Sequence, residues 1–169
     1  MAQPVSEFID LPDANGLLTI EYQWVGVDQP DAPYIVFLHE GLGSVAHWGS
    51  WPHELASELG YRGLVYSRKG YGLSTPRIPE APLPLNYLHL EATRRLPDLL
   101  TALGLDQQPP ILFGHSDGAT IALLYAAHAA LAPLATIAVA PHIYVETQTT
   151  AAVQQTGLNY QSGTLRERL

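Results

Sequence analysis

Leu18, Ile20, Tyr22 and Trp24 alternate with Thr19, Glu21 and Gln23. A period of two predicts a half-buried antiparallel strand near a sheet edge. The pattern then changes. Residues 34–38 form a continuous apolar run, as a strand covered on both faces requires. Shorter runs of the same kind occupy residues 63–66, 111–113 and 136–140. Helical spacing lies between them. Residues 53–59 read as a short amphipathic helix. Residues 86–103 place Leu88, Leu96, Leu99, Leu100 and Leu103 on one stripe, with Asn86 as the expected N-cap and Pro97 as the expected site of a kink. Residues 118–130 are nearly all apolar and predict a helix buried all round.

Strands alternating with helices predict an α/β layer fold, with a mostly parallel sheet carrying helices on both faces. Pro76, Pro79, Pro82 and Pro84 crowd one connection, which reads as a stiff extended loop because apolar patterning resumes at once. No internal repeat interrupts the pattern. After Glu146 the chain turns polar and starts a helical segment without closing a new layer.

Composition narrows the function classes. The chain has 169 residues, 47% of them hydrophobic and 14% charged, which suits one folded domain. A net charge of −8 argues against nucleic acid and anionic membrane surfaces as partners and leaves a small-molecule substrate. Cysteine is absent, so disulfides, thiolate metal sites and a cysteine nucleophile are excluded. The N-terminal residues carry neither a basic region nor an apolar core of the secretory type, so the expected location is cytoplasmic. Residues 118–145 lack Lys, Arg, Asp and Glu. Ala-rich composition, His128 and Pro133 make them a buried helix and strand rather than a membrane span.

The sharpest chemical signal is Gly114-His115-Ser116-Asp117-Gly118, directly after one apolar strand and directly before the apolar helix. Chance would supply a G-x-S-x-G pattern about 0.05 times in a chain of this composition. A strand that turns sharply into a helix with serine at its apex crowds the backbone, and the flanking glycines remove the clashing Cβ atoms. Ser116 is the expected nucleophile. The Asp117 amide, at a helix N-terminus, is an expected oxyanion donor.

A second signal, His39-Glu40-Gly41-Leu42-Gly43-Ser44, follows the most apolar strand. A glycine-bearing loop there can approach a bound carbonyl, and the Gly41 amide is the expected second donor. His39, Glu40 and His115 are expected to line the pocket. Glu40 would either bind a substrate cation or shape the loop. His142 lies near a strand end and could also approach the pocket, as His39 and His115 could.

These two segments, with Ser67-Arg68-Lys69-Gly70-Tyr71-Gly72-Leu73-Ser74, resemble the α/β-hydrolase superfamily in order and spacing, over about residues 34–141. The resemblance implies hydrolysis of a carboxylic ester, amide or related acyl substrate, with no metal and no organic cofactor. It makes Arg68, Gly70, Gly72 and Ser74 structural loop residues. Two positions depart from the family pattern. Glu40 stands where glycine is usual, and Ser67 where aspartate is frequent.

In the family the triad runs Ser, then Asp or Glu, then His. No acid outside the elbow lies between Ser116 and either His128 or His142, and no histidine follows Glu146. The resemblance therefore implies that residues 1–145 form the N-terminal part of the core, cut off after the strand that follows the nucleophile helix. Residues 146–169 would be the incomplete start of a cap or connecting segment, with residues 163–169 opening a cap helix. The base and its acid would lie outside this chain. A non-catalytic domain of the same fold is one alternative. An NADP-binding domain is another, because residues 41–46 fit G-x-G-x-x-A after a strand and Arg68 stands where a 2′-phosphate could be met.

Overall fold

In the computed structural model, which describes residues 5–13, 16–77 and 83–165, the apolar runs form one six-stranded sheet. Its strands are β1 (Glu7–Asp13), β2 (Gly16–Gly26), β3 (Tyr34–Leu38), β4 (Arg62–Tyr66), β5 (Ile111–His115) and β6 (Ala135–Val139). They lie in the order β1-β2-β4-β3-β5-β6. β1 and β2 pair antiparallel, as do β2 and β4; β4, β3, β5 and β6 run parallel. Phe37 on β3 faces Val65 on one side and Phe113 on the other, so the carboxyl ends of the central strands lie level. Loops leaving those ends share one rim.

The alternating segment is β2, one strand in from the edge. The edge itself is β1, whose sequence gives little sign of a strand. It buries only Leu11 among its seven residues and carries Pro12, which an edge strand tolerates.

Helices cover both faces. On one side α1 (Trp51–Leu59) packs on β2, β4 and β3 over a core of Val25, Ile35, Phe37, Val45 and Val65. On the other, Leu96, Leu99, Leu100, Ile121 and Tyr125 close over Val36, Leu38, Leu64 and Leu112. The predicted helix over 86–103 is there in three pieces: α2 (Tyr87–Leu90), a wide π turn over Glu91–Arg95, and α3 (Leu96–Ala102). Pro97 lacks an amide proton and its ring would meet the carbonyl of residue 93, so the wider turn precedes it instead of a sharp kink. Asn86 takes the expected N-cap position but makes no side-chain cap bond. Of the crowded prolines, Pro76 and Pro84 lie in irregular chain, and Pro79 and Pro82 fall outside the described residues.

The helix after the elbow, α4 (Asp117–His128), is not buried all round. Ile121, Ala122 and Tyr125 face the sheet, while Leu123, Ala126, Ala127 and His128 face outward. An outer-layer helix needs only one buried stripe, and alanine tolerates either side. Among the described strands β6 is the other edge, leaving Ile137 46% and Val139 43% exposed. The polar segment forms α5 (Thr147–Ser162), which buries none of its side chains. That helix ends at Ser162, Leu165 is helical again, and residues 166–169, over which the expected cap helix would continue, lie outside the described residues. Among the described residues no helix is long and apolar enough to cross a membrane.

Candidate active site

Ser116 stands between β5 and α4 with φ +54° and ψ −114°. That backbone is strained for a residue with a Cβ, by about 1–3 kcal/mol, and persists only where the surroundings enforce it. They do so here. The Ser116 amide donates to the Val139 carbonyl at 2.9 Å, and its own carbonyl accepts from the Thr120 amide at 3.1 Å. A Cβ on Gly114 would overlap the Gly118 carbonyl, and one on Gly118 would overlap the Leu38 carbonyl. Only glycine at both places lets α4 start this close to the end of β3.

The loop after β3 reaches the elbow. A Cβ on Gly41 would lie 3.3 Å from the Asp117 carboxylate. Neither the Gly41 amide nor the Asp117 amide has a hydrogen-bond partner among the described residues. Glu40 shapes this loop: its carboxylate accepts from the Leu42 amide, and its carbonyl accepts from Gly43 at 3.2 Å. The carboxylate folds back on its own turn, so the loop-shaping alternative is the one the geometry favours.

His39 is 2% exposed. Its Nδ1 meets the Glu40 carbonyl at 2.7 Å, and its Nε2 accepts from the Arg68 amide at 3.1 Å. Burial, and then the Arg68 guanidinium, push its pKa down to about 3. The ring is a neutral Nδ1–H tautomer with both nitrogens engaged, a strut rather than a base. His39, Glu40 and His115 border a small cavity of about 120 Å³ that neither Ser116 nor Gly41 lines.

Arg68, 2% exposed, joins the three rim segments. It donates to the Glu40 carbonyl at 2.9 Å, lies over the Tyr71 ring at 4.9 Å, and reaches the Asp117 carboxylate at 3.7 Å. Tyr87 from α2 donates to the same carboxylate at 2.8 Å, and burial followed by Asp117 pushes its phenol pKa up. Ser67, at the position of the family's aspartate, donates to Glu21 at 2.8 Å and accepts from the Val45 amide at 2.9 Å. Glu21 also accepts from the Leu73 amide at 2.9 Å. β2 therefore supplies, from the neighbouring strand, the carboxylate that the loop itself lacks.

One contact exceeds what the sequence suggested. His142, three residues beyond β6, places Nε2 2.9 Å from the Ser116 hydroxyl and 3.6 Å from the Asp117 carboxylate. Its backbone amide donates to the Thr120 hydroxyl at 2.8 Å. Sequence order alone ranked it no higher than His39 or His115. The available signal was its place just past a strand that pairs in parallel with β5, where His115 faces Val139.

A larger cavity of about 680 Å³ opens between the Gly41–Ser44 loop, the Gly70–Gly72 loop and α5. Gly41 lines it, whereas Ser116 does not. The dinucleotide alternative loses its geometric basis. After Ala46 the chain makes one short 3₁₀ turn, and α1 opens only at Trp51, so the glycine loop leads into no helix start that would hold a pyrophosphate.

A sequence profile described as the alpha/beta hydrolase family matches residues 35–167. No curated protein matches the chain significantly. The fold is similar to that of a thermophilic esterase from Thermogutta terrifontis, with TM-score 0.67 and 19% identity over 95% of this chain and 54% of that one. It is similar to a thioesterase domain from the curacin biosynthetic pathway, with TM-score 0.64 and 23% identity over 92% and 53%. It is also similar to epoxide hydrolases from metagenomes of hot environments, with TM-score 0.59 and 20% identity over 78% and 41%. At these identities the likeness is one of fold, and the chain spans about half or less of each of these structures.

Proposed function

The chain belongs to the α/β-hydrolase family, and on that premise we propose that it is a serine hydrolase of carboxylic esters, amides or related acyl compounds. The observation that carries this is Ser116 at a strained apex, followed by the unpartnered Asp117 amide, with the Gly41 loop packed against the Asp117 carboxylate. Ser116 Oγ attacks the substrate carbonyl carbon while an imidazole takes its proton. The Gly41 and Asp117 amides receive the oxyanion, and each such donor is worth roughly 100- to 1000-fold in rate. Collapse of the tetrahedral intermediate expels the alcohol or amine, and water then releases the acid. The cavity beside Gly41 gives a small organic substrate room.

Initial rates with p-nitrophenyl acetate test it. Ser116→Ala should reduce turnover on the order of 1000-fold or more with little change in thermal stability, since the hydroxyl contributes chemistry rather than packing. Unchanged turnover in that variant would place the nucleophile elsewhere.

A further inference from the structure

We propose that Arg68 is the positioning residue of the oxyanion site, its one guanidinium holding both residues whose amides receive the charge. The inference deepens the proposed function and rests on Ser116 being the nucleophile. The Gly41 amide cannot turn independently of the Glu40 carbonyl, because both belong to one planar peptide and point in opposite directions. That carbonyl accepts from three donors: Arg68 Nη2 at 2.9 Å, His39 Nδ1 at 2.7 Å and the Gly43 amide at 3.2 Å. Holding the oxygen toward Arg68 fixes the opposite direction for the Gly41 N–H. The three bonds also polarise the peptide and make that N–H a stronger donor. On its other arm, Arg68 Nη1 lies 3.7 Å from the carboxylate of Asp117, the residue whose amide follows Ser116. The same carboxylate lies against Gly41, where a Cβ would sit 3.3 Å from it.

Arg68 can fix its neighbours because it is itself fixed. It is buried, its amide donates to His39 Nε2 at 3.1 Å, and its Nε meets the same nitrogen at 3.3 Å. The Tyr71 ring lies 4.9 Å from the guanidinium carbon. Lysine would carry the same charge on a single ammonium, without the rigid fork that spans the Glu40 carbonyl and the Asp117 carboxylate. The oxyanion exists in the transition state and not in the bound ester. Mis-aimed donors therefore lower kcat and weaken transition-state analogues while leaving KM nearly unchanged. A guanidinium that only kept the loops folded would change the amount of active protein and none of these constants.

The test uses the full-length protein, p-nitrophenyl acetate as substrate and trifluoroacetone as inhibitor. Ser116 Oγ adds to the ketone carbon, and the ketone oxygen becomes the same oxyanion. With active sites counted by fluorophosphonate titration, Arg68→Lys should lower kcat about 100-fold, the cost of a donor misplaced by roughly 1 Å. KM should stay near the wild-type value, and the Ki of trifluoroacetone should weaken by the same factor as kcat. Arg68→Gln should lose at least as much. Wild-type kcat and Ki per titrated site in Arg68→Lys, with Ser116→Ala inactive, would overturn the role of Arg68 and leave the serine reading standing. So would a raised KM at unchanged kcat. Undiminished turnover in Ser116→Ala would overturn both. A crystal structure of the wild-type protein with trifluoroacetone tests the same claim without relying on a variant's folding. It should show the ketone oxygen on the Gly41 and Asp117 amides with Arg68 still on the Glu40 carbonyl. An adduct on Ser116 with Arg68 detached from that carbonyl would overturn the proposal alone, and a ketone not bonded to Ser116 would overturn both.

Discussion

His39 shows how one side chain serves the rim without entering the chemistry. Its pKa, pushed down from 6.5 to about 3 by burial and by Arg68, keeps it neutral in the folded state while the unfolded chain protonates it below 6.5. Between those values the unfolded state binds more protons, so stability is lost as pH falls through that window. Burial pushes the Glu91 carboxyl up, which acts in the opposite sense, so the difference from a variant isolates His39. Denaturant unfolding from pH 7 to pH 4 should show the wild type losing on the order of a few kcal/mol more than His39→Asn. Equal losses would mean the imidazole is not held neutral. Ser116, Gly41 and Asp117 were legible as candidates because their chemistry is written in contiguous motifs. Glu21 was not, and His142 stood only level with His39 and His115, since each meets a partner 46 or 26 positions away in sequence. Only strand pairing brings Glu21 under Ser67 and His142 over Ser116.

At the scale of elements, the apolar runs marked the strands and the leucine stripe marked the helical segment over 86–103. What pattern alone missed was the order of strands and the local price of a proline. Pro97 reads as a kink, yet the helix absorbs it by widening one turn upstream. The segment 118–130 reads as fully buried because alanine is counted apolar, although it sits equally well on an exposed face. β6 carries the clearest consequence. It presents an unpaired backbone side among the described strands, with Ile137 and Val139 partly exposed. Such an edge templates pairing with another chain, and inward or edge charges suppress it. Ile137→Lys should therefore raise the monomer fraction of the 169-residue chain in size-exclusion chromatography. An unchanged elution profile would show that β6 does not mediate association.

Across the whole molecule, four parallel strand ends deliver the elbow, the Gly41 loop, the Arg68 loop and His142 to a single rim. The alternation of strand and helix was enough to expect that architecture, and the family profile over residues 35–167 agrees with it. Which groups meet at the rim depends on topology: β5 lies between β3 and β6, so their loops flank Ser116 from both sides. Arg68 then binds the rim into one unit by touching Glu40, Tyr71 and Asp117. On the proposed function, Ser116 is the one reactive hydroxyl among the chain's serines. The direct measurement is to treat the protein with a fluorophosphonate and map the adduct by peptide mass spectrometry. The account predicts one adduct, on the peptide containing Ser116, lost in Ser116→Ala. An adduct on another serine, or none at all, would contradict it.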